Sequence, residues 1–88
     1  MAWRIDYTDT AKTQLRKLDP QIARRIIDYM DKRIAPLEDA SSAGKALTGP
    51  LSSLWRYRVG DYRIICEIRS AELVILAVTI GHRRDVYE

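Results

Sequence analysis

The first part of the chain changes from a strand-like to a helix-like pattern of apolar positions. Residues 2–7 alternate between apolar and polar side chains, which predicts a half-buried β-strand. Apolar residues then recur at helical spacing in two consecutive stretches, the first of which Thr8 or Asp9 would cap. Asp19 and Pro20 form a helix-start signal between the stretches, so we expect two helices.

The second predicted helix runs to about residue 34 and carries a charged face opposite its apolar stripe. Charged residues are common on exposed helix faces, so we interpret this face as a solvated surface rather than a binding surface. It consists of Arg24, Arg25, Asp28, Asp31, Lys32 and Arg33.

A long connection and three further strands are predicted for the rest of the chain. Residues 35–53 contain most of the Pro, Gly and Ser loop signals, and a short strand or turn around residues 45–47 would shorten this connection. Residues 73–80 are apolar on both faces, as in a central strand, and Gly81 is expected to end it. The order β-α-α-β-β-β implies an α+β fold, in which a helical hairpin packs on one curved sheet built largely from a three-stranded antiparallel meander.

A tight hairpin is predicted around Gly60 and Asp61. If these are its two loop residues, Arg58 lies directly opposite Arg63. Side chains alternate across a strand, so Arg56 joins these two arginines on the face turned away from the helices. The two opposed arginines repel each other by roughly tenths of a kcal/mol, and a bound anion would offset that cost.

Composition and charge narrow the function classes. The chain has 88 residues, 47% hydrophobic and 31% charged, which indicates one domain of residues 1–88. A single cysteine, Cys66, and a single histidine, His82, exclude an internal disulfide, a cysteine-rich zinc module and a histidine metal cage, so we expect no metal and no cofactor. No apolar run approaches the ~18 residues of a membrane span, so we expect a cytoplasmic protein that does not contact membranes.

The modest formal charge of +3 is concentrated around the hairpin. Between residues 40 and 66, Asp61 is the only acidic residue, beside Lys45 and three arginines. The last strand returns antiparallel, so the basic tail at residues 82–84 is expected beside the opposed arginines. A cationic face near aromatic residues suits phosphates and unstacked bases, although exposed strands also carry arginine simply for solubility.

Two further side chains are weaker candidates for chemistry. Cys66 points inward in the predicted register, which favours a buried structural thiol over a nucleophile. His82 has an unperturbed pKa near neutrality, so it could act as a general acid or base, or it could make only a polar contact.

The stretch KALTGPLSSLWRYRVGDYRIICEI, together with VTIGHRRDVY near the end, resembles the RelE/ParE superfamily of bacterial toxins, and RelE in particular. The resemblance implies a fold like that of small microbial ribonucleases and the toxin of a type II toxin–antitoxin pair. Such a toxin enters the A site of the 30S ribosomal subunit and cuts messenger RNA. The implied partner is an inhibitory antitoxin that wraps the toxin and through which alone the complex contacts operator DNA. A ParE-like gyrase inhibitor and a degenerate toxin are the alternatives.

The resemblance also implies roles for individual residues. Arg58 and Arg63 would hold the scissile phosphate, and Arg56 would stabilise the developing charge. Arg83 would stabilise or protonate the leaving 5′-oxygen, while Tyr87 would stack on a base and help orient the 2′-OH. Lys45 and Arg84 complete the set as RNA-binding or ribosome-binding residues.

The general base stays open at this point. Some RelE members have lysines at the positions of Arg56 and Arg58, and a lysine can lose its proton where an arginine essentially cannot. Either His82 or Tyr87 serves as the base, or proton removal is not the main catalytic contribution.

Overall fold

The computed structural model has a five-stranded sheet with two helices on one face. It describes residues 2–47 and 54–82. The strand order is β1-β5-β4-β3-β2, with β1 parallel to β5 and all other neighbours antiparallel. This architecture confirms the predicted α+β class. The elements are β1 (Arg4–Tyr7), α1 (Asp9–Lys17), α2 (Pro20–Tyr29), β2 (Lys45–Ala46), β3 (Trp55–Val59), β4 (Tyr62–Arg69) and β5 (Val74–His82).

Both helices begin at the predicted residues. The Thr8 hydroxyl accepts a hydrogen bond from the Ala11 N–H at 3.1 Å, and the Asp19 carboxylate accepts one from the Gln21 N–H at 2.8 Å. Pro20 follows as the first residue of α2, where its missing N–H costs nothing. Within the described ranges, neither helix is long and apolar enough to cross a membrane.

The apolar stripe of α2 continues beyond Tyr29 through one π-helical turn, Met30–Ile34. The Ala35 N–H donates to the Met30 carbonyl at 2.8 Å, which closes this wider turn. Helical structure therefore reaches residue 34, as predicted. Ile26, Met30 and Ile34 are fully buried against the sheet, and each contributes roughly 1.5–3 kcal/mol of hydrophobic stabilisation.

The segment before β2 is attached to β3 by two aromatic side chains. The Trp55 indole N–H donates to the Ala43 carbonyl and the Tyr57 hydroxyl donates to the Ala40 carbonyl, each at 2.6 Å. These bonds bring β2 against the first two residues of β3. Of the two alternatives predicted around residues 45–47, a short strand or a turn, the structure has the strand, which brings Lys45 opposite Arg56.

Helix α1 covers the edge of β5 that β1 leaves open. β1 ends at Tyr7, opposite Ala77, whereas β5 continues for five more residues. The Gln14 side chain accepts a hydrogen bond from the Ile80 N–H at 2.6 Å and donates one to the Thr79 hydroxyl at 2.9 Å. The helix thus satisfies backbone groups that a neighbouring strand would otherwise pair.

The last strand contains a β-bulge and extends further than predicted. Ile65 pairs with Thr79 but the next residue, Cys66, pairs with Ala77, so Val78 has no opposite residue in β4. The expectation that Gly81 ends the strand is wrong. Pairing with β4 continues through residue 82, because β4 extends to the hairpin turn and offers partners that far.

Candidate functional site

The hairpin register determines which side chains lie on the open face, the face of the sheet turned away from the helices. Arg58 pairs with Arg63 and Trp55 pairs with Cys66, as predicted. Tyr57, between the arginine positions of β3, is fully buried on the helix-facing side. Arg58 is exposed and Arg63 is half-buried, so the opposed arginines form the centre of a cationic region beside the turn.

The neighbouring strands complete this region on both sides. Gly81 of β5 lies opposite Arg63 and has no side chain, so nothing from that position rises above the sheet beside the arginine. Adjacent strands are about 4.8 Å apart, so side chains in one row are direct neighbours. The structure brings together four predicted site residues, Lys45, Arg56, Arg58 and Arg63.

The opposite end of the open face has a different electrostatic character. Arg4 forms an ion pair with Asp6 at 3.2 Å, and Arg69 pairs with Glu67. The Glu67 carboxylate, which accepts a hydrogen bond from Arg69, raises the pKa of that guanidinium. Each of these two arginines therefore has a carboxylate partner on its own strand.

A small apolar cluster separates the two ends and was not foreseen from the sequence. Leu47 and Leu54 fold over Ile65, which is only 3% exposed although it lies on the open face. The Leu47 N–H donates to the Leu54 carbonyl at 3.1 Å, and this hydrogen bond holds the two leucines side by side. The only sequence signal was a pair of leucines bordering a long loop. This cluster limits the cationic region to the hairpin end of the sheet.

His82 does not join the arginines. It pairs with Tyr62, and the two rings are in edge-to-face contact with centroids 5.5 Å apart. The end of β5 lies beside the hairpin turn, as predicted, and the His82 side chain is on the helix-facing side of the sheet there. The bulge at Val78 shifts the alternation by one residue, which turns His82 toward the helix-facing side.

The three remaining predicted site residues belong to the end of the chain. Arg83, Arg84 and Tyr87 lie outside the described residues, so their roles stay predictions. Within residues 2–47 and 54–82, no group of three or more His, Cys, Asp or Glu side chains is arranged to hold a metal ion.

Cys66 is a core residue rather than a nucleophile. It has no exposed surface, and burial raises the pKa of its thiol well above the usual value. The reactive form of cysteine is the thiolate, which a dry core disfavours. The sequence-based choice of a structural thiol agrees with this burial.

Raising the pH above about 9 is expected to destabilise the protein partly through Cys66. The folded state retains the thiol proton, whereas an unfolded cysteine releases it with a pKa near 8.5. The free energy of unfolding should then fall by up to ~1.4 kcal/mol per pH unit for this group. Urea unfolding between pH 8 and pH 10 measures the decline. Cys66→Ala should decline less steeply, and an equal slope would contradict the assignment.

Known proteins are similar to this chain over nearly its whole length. The model of the family described as "ParE toxin of type II toxin-antitoxin system, parDE" matches residues 5–87. The chain is 28% identical to Toxin RelG of Mycobacterium tuberculosis over 89 residues, covering 99% of this chain and 98% of the relative. The matching family and the similar relative are therefore both described as toxins.

Solved structures share the fold. The toxin–antitoxin complex RelBE2 of Mycobacterium tuberculosis has a TM-score of 0.86 at 24% identity, covering 97% of this chain and 95% of that one. The archaeal RelE–RelB complex from Pyrococcus horikoshii OT3 has a TM-score of 0.66 at 25% identity, covering 98% and 100%. The isolated E. coli RelE toxin has a TM-score of 0.59 at 17% identity, covering 92% and 84%.

Proposed function

This chain belongs to the ParE toxin family of type II toxin–antitoxin systems, within the RelE/ParE superfamily, and we propose that it is a ribosome-dependent endoribonuclease that cuts messenger RNA in the A site. The observation that supports this most directly is the pairing of Arg58 with Arg63, beside the bare backbone of Gly81. Two guanidinium groups on adjacent strands offer the planar, fork-shaped N–H donors that suit the oxygens of a phosphodiester.

The proposed reaction is an intramolecular transfer at phosphorus. The ribose 2′-oxygen forms a bond to the adjacent phosphorus and loses its proton, the bond from phosphorus to the 5′-oxygen breaks, and that oxygen gains a proton. The products are a 2′,3′-cyclic phosphate and a 5′-hydroxyl. Arg58 and Arg63 would bind the non-bridging oxygens, where negative charge increases in the transition state. Arg56 would add to the positive field.

Charge stabilisation and positioning are the main catalytic contributions in this proposal. Arginine stays protonated, and His82 packs on Tyr62 on the other side of the sheet, so we assign proton removal to neither. Tyr87 stays our candidate for orienting the 2′-OH, and Arg83 for stabilising the leaving oxygen. Holding the 2′-OH in line with the leaving oxygen supplies much of the rate enhancement in such reactions.

The proposed partners follow from the family and the chemistry. Solved complexes of RelE relatives with their antitoxins support a cognate antitoxin that binds this chain and inhibits it. The 30S subunit and messenger RNA are the proposed targets, contacted in part by Lys45 and Arg84, which would place the active protein in the cytoplasm. Operator DNA would be contacted only through the antitoxin.

Cleavage on programmed ribosomes tests this proposal. Purified protein is added to ribosomes with a defined A-site codon, and new 5′-hydroxyl ends are mapped. We expect cleavage within that codon and none of the same message in the absence of ribosomes. The matching family is described by the name ParE, so gyrase inhibition is the second candidate. Inhibited supercoiling by gyrase without cleavage would replace the first candidate by the second.

A further inference from the structure

The end of β5 is bound by one polar side chain of the first helix. Gln14, which is half-buried on α1, accepts a hydrogen bond from the Ile80 N–H at 2.6 Å. Its amide group donates to the Thr79 hydroxyl at 2.9 Å, and that hydroxyl also lies 3.2 Å from the Gln14 carbonyl oxygen. A single side chain therefore contacts two successive residues of β5, one through its backbone and one through its side chain.

Helix α1 and its cap replace a neighbouring strand along the outer edge of β5, beginning at the bulge. The Thr8 N–H donates to the Ala77 carbonyl at 3.0 Å, and the Thr8 hydroxyl donates to the next carbonyl, that of Val78, at 2.8 Å. Successive carbonyls of a regular strand point to opposite edges, so these two bonds stabilise the bulged conformation. Gln14 continues this edge with its bond to Ile80.

The bulge determines what β5 presents beside the opposed arginines. Beyond it, Gly81 lies opposite Arg63, where its bare backbone leaves the surface open. Without the extra residue the alternation would be reversed, and the side chain of Ile80 or His82 would lie next to the arginine instead. Because Gln14 binds the residue directly before Gly81, its contact acts on the part of β5 that borders the candidate site.

The same part of β5 leads into the proposed tail of the site. β4 pairs with β5 through residue 82, where the Tyr62 and His82 rings are in edge-to-face contact. The end of β5 is thus attached to β4 on one side and to α1 on the other. Arg83 follows His82 directly in the sequence, and Tyr87 follows four residues later. Because the chain is continuous, a displacement of Ile80 also moves the point from which residues 83–87 begin.

We propose that Gln14 is a positioning residue for messenger cleavage, an inference that rests on the proposed function. Gln14 holds the end of β5 so that Gly81 stays beside Arg63 and the chain enters residues 83–87 in one direction. It belongs to the helical layer, behind the open face, so it acts on the reaction through β5 and not by touching the RNA. A misplacement of about 1 Å far from the chemistry can lower a rate by about 10²-fold.

Two substitutions of Gln14 test the inference. Gln14→Met keeps a side chain of similar length but leaves the Ile80 N–H without a good acceptor. Gln14→Glu provides a carboxylate that accepts from both the Ile80 N–H and the Thr79 hydroxyl, so it should restore the contact.

Two control variants accompany them. Gln21→Met makes the same substitution at an exposed position of α2, where the backbone N–H rather than the side chain bonds to the Asp19 cap. Asp19→Ala removes that cap and measures the effect of lost stability alone. All rates are measured at a temperature at which thermal unfolding shows every variant to be folded.

Amide hydrogen exchange on the free protein measures the contact itself. We expect the Ile80 N–H to exchange at least about 10-fold faster in Gln14→Met than in the unmodified protein. Single-turnover cleavage on programmed ribosomes, with toxin in excess, gives a maximal rate and the toxin concentration that produces half of it. Gln14→Met should lower the maximal rate about 10–100-fold and leave the half-saturating concentration within about threefold. Gln14→Glu and both controls should cleave within about threefold of the unmodified rate.

The opposite results each remove a particular statement. An unchanged maximal rate in Gln14→Met, with faster exchange at Ile80, overturns the positioning role and leaves the proposed function intact. An equal loss in Asp19→Ala also overturns it, because lower stability would then explain the effect. A change confined to the half-saturating concentration makes Gln14 a binding residue instead.

Two further outcomes are also decisive. If Gln14→Met does not fold, Thr79→Val takes its place, since it removes the hydroxyl partner and keeps the bond to Ile80. Its maximal rate should fall about 3–10-fold, and an unchanged rate overturns the inference. If the unmodified protein does not cut programmed ribosomes, the proposed function is wrong and the role of Gln14 falls with it.

Discussion

Replacing Arg63 by alanine is expected to lower the rate of messenger cleavage on programmed ribosomes by about 10²–10³-fold. Arg63 lies at the centre of the cationic row, between Arg58 on β3 and Gly81 on β5. Its removal takes away a donor aimed at the phosphate, at the point where charge develops in the transition state. Single-turnover cleavage with saturating toxin measures this step without a contribution from binding.

Arg69→Ala is the matched control for Arg63. Both arginines belong to β4 and to the open face, but Arg69 lies at the far end, beside Glu67. The control should cleave at nearly the unmodified rate, and both variants should still bind the antitoxin. Arg83→Ala is expected to act like Arg63→Ala. If Arg63→Ala and Arg83→Ala both arrest growth as strongly as the unmodified toxin, the site assignment is wrong.

Replacing Gly44 by alanine is expected to destabilise the fold by about 3 kcal/mol or more. Gly44 has a φ of +76°, a left-handed conformation that a side chain disfavours. A Cβ atom there would lie 2.3 Å from the Arg56 carbonyl oxygen and 2.8 Å from the Trp55 indole nitrogen. Backbone must move to relieve such a contact, and urea unfolding at neutral pH measures the loss.

Gly60→Ala separates the effect of conformation from that of contact. Gly60 also has a positive φ, +58°, but the atom nearest to an added Cβ is a flexible Arg25 nitrogen at 3.7 Å. This variant should lose only about 1–2 kcal/mol, the cost of the left-handed backbone. The Gly44 variant should also shift Lys45 relative to Arg56. Equal losses in the two variants would show that close contact at Gly44 is unimportant.

The strand pairing at the cationic region could be predicted from local sequence. A two-residue turn at Gly60 and Asp61 determines every pair of the hairpin, because side chains alternate with a period of two. The opposition of Arg58 and Arg63 and the burial of Cys66 both follow from that register. The helix starts were equally local, since a cap depends on residues within one turn.

The position of His82 could not be predicted in the same way. The bulge at Val78 reverses the alternation of β5, so counting from the start of that strand assigns the wrong face to its last residues. The bulge lies where α1 replaces β1 as the neighbour of β5, through Gln14. A contact 66 residues apart in the chain leaves no local signal.

The sequence by itself determined the elements, the hairpin register and the resemblance to RelE/ParE toxins, because each depends on neighbouring residues or on a continuous motif. Only the tertiary structure decided which face His82 occupies, that Leu47 and Leu54 cover part of the open face, and that Gln14 of α1 binds the end of β5. These features arise where elements distant in sequence pack together. Their geometry is determined by packing and long-range hydrogen bonds, which residue spacing does not encode.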